Sequence, residues 1–146
     1  VIVLLASDHA GFELKELLAK RAREGGHEVR DLGPTSEDPV DYPDYAHDVA
    51  TRIAAGEAER GVLICGTGVG MSIVANRHRG VRAALCHDAF TAEMARRHNN
   101  ANVLCMGGRT TGPGVAIQML EIFLATPFDG GRHGRRVEKV EPHKEQ

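Results

Sequence analysis

Five short runs rich in Val, Ile, Leu and Ala, at positions 1–6, 27–32, 61–65, 81–86 and 103–106, are nearly continuous rather than alternating. A strand without alternation needs cover on both faces, which is the habit of parallel sheets. The cover lies between the runs. Positions 12–23 place Leu14, Leu17, Leu18 and Ala22 on one helical stripe, and 45–55 do the same with Ala46, Val49, Ala50 and Ile53. Gly25-Gly26 and Gly56 stop these helices, and further helical patterns follow at 71–76, 89–99 and 115–125, the last opened by Gly112-Pro113. Strand and helix alternate five times, which with right-handed crossovers predicts an α/β fold, a doubly wound (Rossmann-like) five-stranded parallel sheet with helices on both faces. A length of 146 residues suits a single domain over 1–146. Beyond the hinge Pro127-Phe128-Asp129-Gly130-Gly131, a C-terminal helical tail within 127–146 is expected to reach over a partner subunit.

Composition narrows the function classes. A formal net charge of −2 gives no global attraction to nucleic acid or anionic membrane, and an aromatic content of 4% is too small for a base-stacking platform. Three Cys without a C-x-x-C spacing argue against a disulfide framework or zinc module and suit a reducing, cytoplasmic setting. The apolar start, Val1 to Ala6, is too short for a signal segment, and the stretch 115–125 is interrupted by Gln118 and Glu121, so no membrane span is expected.

Parallel sheets bind ligands outside the carboxyl ends of their strands, and the polar residues gather there. Ser7-Asp8-His9-Ala10-Gly11 follows the first run, Cys65 and Gly66-Thr67-Gly68-Val69-Gly70 the third, His87-Asp88 the fourth and Gly107-Gly108-Arg109 the fifth. Cys65 is the most informative. A thiol at a strand end commonly packs as a small hydrophobe. Here it opens a loop of exposed backbone N–H groups ahead of a helix starting near Met71, whose terminus favours an ionised sulfur and any negative charge on a bound substrate.

The other constellations carry less alone. Gly66-x-Gly68 with Asp88 partly resembles a dinucleotide fingerprint, but Met71 stands where a third small residue is needed, and no Gly-Lys-Ser or Gly-Lys-Thr ends the loop. No cofactor is expected. Asp8 caps the next helix on the simplest reading, and beside Cys65 the Asp8-His9 pair gains a second one, binding hydroxyls or phosphate of a polar substrate. Arg132 and Arg136 stand four apart, on one face if the tail is helical, where two guanidinium groups clamp one phosphate. No His-Glu-x-x-His or Cys/His quartet predicts a metal site, and no Gly-x-Ser-x-Gly predicts a serine nucleophile. Cys86 and Cys105 fall inside strand runs and are read as core residues. A thiol base, an imidazole acid, an anion cradle and arginines suit proton transfer on a sugar phosphate.

Ser7-Asp8-His9-Ala10-Gly11, Asp41-Tyr42-Pro43, Ile64-Cys65-Gly66-Thr67-Gly68-Val69-Gly70, Arg97-His98-Asn99 and Gly130-Gly131-Arg132-His133 with Arg136, in this order, resemble the type B ribose-5-phosphate isomerase family. The resemblance covers nearly the whole chain. It implies that Cys65, with Thr67 beside it, moves a proton between C2 and C1 of an open-chain sugar through a cis-enediolate. Backbone N–H groups of Gly66, Thr67, Gly68, Val69 and Gly70 would stabilise the enediolate oxygen. It further implies that His98 opens the sugar ring near Asp8 and Tyr42, that His9, Arg109, Arg132 and Arg136 hold the phosphate, and that Asn99 touches the sugar. In the family the site lies between two subunits, so a homo-oligomer, dimer or tetramer, is implied. Isomerases of allose 6-phosphate, galactose 6-phosphate and tetrose 4-phosphates are the near alternatives, and a phosphate- or nucleotide-binding module without catalysis is the distant one.

Overall fold

The computed structural model describes residues 1–142. Strands β1 (Ile2–Ser7), β2 (Glu28–Asp31), β3 (Arg60–Cys65), β4 (Ala83–Leu85) and β5 (Val103–Gly107) form one sheet in the order β2-β1-β3-β5-β4, with every neighbouring pair parallel. Among the described residues the helices are α1 (Phe12–Glu24), α2 (Tyr42–Ala54), α3 (Val69–Ala75), α4 (Ala89–Arg97), α5 (Pro113–Ala125) and α6 (Arg132–Glu138).

Side-chain parity divides the core into two layers. Val3, Leu5, Val62, Ile64, Leu104 and Met106 pack beneath α1, α4 and α5, where Leu18 and Phe123 are fully buried. Leu4, Ala6, Leu63, Cys65, Val103 and Cys105 face α2 and α3. A fully buried side chain of this size contributes about 1.5–3 kcal/mol, which is why three nearly unbroken apolar strands organise the chain. The result is the doubly wound sheet that the alternation predicts. Its strand order reverses between β1 and β3, so the loops after these two strands flank one crevice.

At the sheet's two edges, burial on both faces fails. In β2 only Val29 is half buried while Glu28, Arg30 and Asp31 are exposed, and β4 is half buried and shorter than the run at 81–86. Charges and shortness are what an edge strand needs to avoid pairing with another sheet. Two helices also begin earlier than their apolar stripes. Pro43 lies in the first turn of α2, where its missing N–H costs no hydrogen bond, so the helix takes in Tyr42. Gly68, at φ +81°, turns the chain directly into α3, which therefore opens at Val69 rather than Met71.

The tail is helical, as α6, and buries none of its residues. Arg97 bonds Asp129, the His133 ring stacks on His98, and the Glu141 carboxylate accepts the Gly80 N–H at 2.7 Å. Positions 143–146 of the expected tail lie outside the described residues. No helix among the described residues is long and apolar enough to cross a membrane.

Candidate active site

The ends of β1, β3 and β5 are stitched together by backbone bonds. The Asp8 N–H donates to Ile64 O at 3.0 Å, Gly108 N–H to Cys65 O at 2.8 Å and Arg109 N–H to Gly66 O at 3.0 Å. Cys65 is 5% exposed, and its Sγ accepts the Gly68 N–H at 3.2 Å, so the loop that follows the thiol folds back to place a donor on it. This return needs glycine. A Cβ at Gly68 would stand 2.6 Å from Leu85 Cδ1 and 2.8 Å from the Met106 backbone carbon. The Thr67 hydroxyl accepts the Val69 N–H at 3.3 Å, at the mouth of α3.

Around this loop the same chain collects four other predicted residues. The ring of Tyr42 leans on Gly70, where a Cβ would come within 2.6 Å of it. The Arg109 guanidinium lies beside Gly66, 3.5 Å from the position of a Cβ there. Asp8, 7% exposed, accepts the Gly11 N–H at 3.1 Å and so caps the 3-10 turn His9–Gly11 that leads into α1. His9 Nδ1 accepts the Val40 N–H at 3.2 Å, which puts the proton of the neutral ring on Nε2. That bond also fastens the segment between β2 and α2. Its other end is held by Asp31, whose Oδ1 accepts the Gly33 N–H at 2.9 Å and whose Oδ2 accepts from the fully buried Lys15 ammonium at 2.7 Å.

His98, Asn99, Arg132 and Arg136 are not there. Helix α4 starts beside the carboxyl end of the sheet and runs back, so His98 at its C-cap lies at the opposite end from Cys65. Nine residues of helix span about 13 Å. Helix α6 is tethered at that same far end, through Asp129 to Arg97 and through Glu141 to Gly80. One chain therefore carries two half-sets of predicted residues, one at each end of the sheet.

The far set contains a member that the sequence reading did not assign. His133 stacks on His98 with ring centroids 4.1 Å apart and planes 8° apart. Loss of hydration, then the charges of His98 and Arg132, hold the His133 imidazole below its ordinary value. With Asp129 these two rings bring three possible ligand atoms within 4.8 Å of one another. Parallel rings point their in-plane lone pairs side by side rather than at one ion, unlike a convergent metal site. The signal in the sequence was the His itself, set between Arg132 and Gly134 in a segment dominated by arginine. Among the other thiols, burial pushes Cys86 and Cys105 upward, in keeping with core cysteines.

Residues 3–140 match the family described as ribose/galactose isomerase. The chain belongs to that family. It is 43% identical over 138 residues to ribose-5-phosphate isomerase B of Escherichia coli K12, spanning 94% of this chain and 93% of that protein. A ribose 5-phosphate isomerase structure from Thermotoga maritima superposes with a TM-score of 0.93 at 54% identity, covering 96% of this chain and 97% of that one. The Mycoplasma genitalium ribose-5-phosphate isomerase B, solved with bound ribulose 5-phosphate, gives 0.91 at 41% identity, covering 95% of this chain and 93% of that one. This family member is a sugar-phosphate isomerase.

Proposed function

We propose that this single-domain protein interconverts D-ribose 5-phosphate and D-ribulose 5-phosphate in the cytoplasm, without metal or cofactor, in sites shared between two copies of the chain. The observation that carries the reading is the Gly68 N–H on Cys65 Sγ at the mouth of the glycine loop. The relative that holds ribulose 5-phosphate and the E. coli relative support the five-carbon substrate.

In the proposed reaction the Cys65 thiolate takes the C2 proton of the open aldose. The C–H electron pair becomes the C1–C2 double bond, and the C1 carbonyl oxygen becomes the enediolate oxygen, held by N–H groups of Gly66 to Gly70. The O2 proton then passes to O1 while the Cys65 thiol returns its proton to C1, giving the ketose and regenerating the thiolate. Thr67 sits beside the thiol. The partner's His98 protonates the ring oxygen and opens the furanose, near Asp8 and Tyr42, and the partner's Asn99 contacts the sugar. The phosphate lies among His9, Arg109, the partner's Arg132 and the partner's Arg136. Placement of Cys65 and His98 at opposite ends of one sheet supports a site completed by a second chain.

Initial rates on ribose 5-phosphate, allose 6-phosphate, galactose 6-phosphate and erythrulose 4-phosphate, with EDTA present, test the reading. A clear preference for the pentose is expected. Turnover confined to a six- or four-carbon sugar would keep the chemistry and change the substrate, while silence on all four would favour a binding module.

A further inference from the structure

A cleft of about 520 Å³ opens on the α1 and α5 side of the sheet, and of the residues given a role in the chemistry above only His9 lines it. Its walls include His9, Glu13, Glu37, Gly108 and Thr111. Neither Glu13 nor Glu37 is in a salt bridge among the described residues. Thr111 is 8% exposed, and its Oγ1 is buried without a hydrogen-bond partner. Two free carboxylates and an unused hydroxyl suit a cationic hydrogen-bond donor. Their position beside His9 sharpens the requirement, because uncompensated carboxylates there would repel the phosphate that His9 is proposed to bind.

The matching surface is on α6. Arg132, Arg135, Arg136 and Lys139 stand at i, i+3, i+4 and i+7, which places all four cations on one helical face in two adjacent rows. None of them is paired with a carboxylate among the described residues, and all four are exposed, on a helix none of whose residues is fully buried. Arg132 and Arg136 form the row assigned to phosphate, and the row of Arg135 and Lys139 has no role in the reaction. Because α6 is tethered at the far end of the sheet from the cleft, its own basic face cannot fill it.

We propose that the cleft seats α6 of a second copy of this chain, with the partner's Arg135 and the partner's Lys139 paired to Glu13 and Glu37. This contact sets the register in which the partner's Arg132 and the partner's Arg136 close over His9. Arg135 and Lys139 are positioning residues, acting through the phosphate arginines and through neutralisation of the cleft. The inference rests on the shared-site reading of the isomerase.

The test is a charge exchange in the full-length enzyme. Glu13→Arg with Glu37→Arg, and separately Arg135→Glu with Lys139→Glu, are each expected to weaken subunit association in sedimentation and, assayed at chain concentrations high enough to keep the subunits assembled, to raise KM for ribose 5-phosphate about tenfold while leaving kcat within about twofold. The fourfold variant carrying both exchanges is expected to regain both KM and association, which a merely structural fault would not do. A fourfold variant as impaired as the worse pair, or pairs that leave KM and association unchanged, would overturn the docking. Mixing Cys65→Ala chains with His98→Asn chains scores the shared site separately. Complementation without rescue by charge exchange overturns the docking alone, and rescue without complementation overturns the shared site alone.

Discussion

Gly68→Ala separates the geometry of the loop from its chemistry, and Gly56→Ala is its matched control. Both glycines sit at nearly the same backbone angle, φ +81° and φ +79°, so each alanine meets the left-handed penalty of about 1–2 kcal/mol. Their surroundings differ. A Cβ at Gly56 meets nothing within 4 Å, whereas at Gly68 it would stand 2.6 Å from Leu85 Cδ1 and 2.8 Å from the Met106 main chain, which cannot yield as a side chain tip can. Overpacking of that kind adds about 1–3 kcal/mol, so Gly68→Ala is expected to lose about 2–5 kcal/mol in total. Relief of the clash must move the Gly68 N–H away from Cys65 Sγ, since the contact is made at 3.2 Å by the same residue. A hydrogen bond to a charged group is worth about 1.5–3 kcal/mol, so its loss from the thiolate is expected to lower kcat about 10–150-fold. Urea unfolding followed by circular dichroism gives the stability difference, and initial rates on ribose 5-phosphate give the turnover of the folded fraction. Equal stability losses in the two variants, with turnover intact in Gly68→Ala, would refute the role given to the loop.

His98→Asn is expected to slow turnover of a cyclising pentose phosphate far more than that of a four-carbon sugar phosphate that cannot form the ring, and equal losses would remove the ring-opening role. Asp31→Ala leaves the fully buried Lys15 with Glu16 as its remaining carboxylate and frees the Gly33 N–H, at a cost of about 1–3 kcal/mol by urea midpoint, whereas Lys15→Met, which removes the buried charge itself, is expected to cost less. His78, through burial and then the charge of His47, and His133, through lost hydration and then His98, both titrate below the ordinary 6.5. The unfolded chain then binds protons that the fold refuses, so their contribution is full above that value and is lost as pH falls through the lower folded values. The urea midpoint is expected to fall on acidification below about pH 6, and to fall less in His78→Gln.

The doubly wound sheet was legible because β1, β3 and β5 hold unbroken apolar runs that leave no solvent-facing alternative. The edges were harder to read, since β2 is recognisable only through Val29 and the strand it pairs with. Helix starts at Tyr42 and Val69 were set by Pro43 and Gly68 rather than by the apolar stripe, and stripes report packing, not the turn that precedes it. For the candidate site, strand-end logic gathered Asp8, His9, Cys65 and Arg109 correctly at one end of the sheet. His98 at the far end follows from the antiparallel run of α4, a consequence of topology that residue spacing does not display. Burial of Lys15 between Glu16 and Asp31, and the grip of His9 on Val40, depend on long-range contacts without any local signal.

The central claim is that one working site takes Cys65 from one chain and His98 from another. Cys65→Ala and His98→Asn proteins, each inactive or nearly so on ribose 5-phosphate, are unfolded together in equal amounts, refolded and assayed. Random pairing makes half of the dimers mixed, each with one intact site of two, so about a quarter of wild-type activity is predicted. A refolded mixture no more active than its two components would contradict the account.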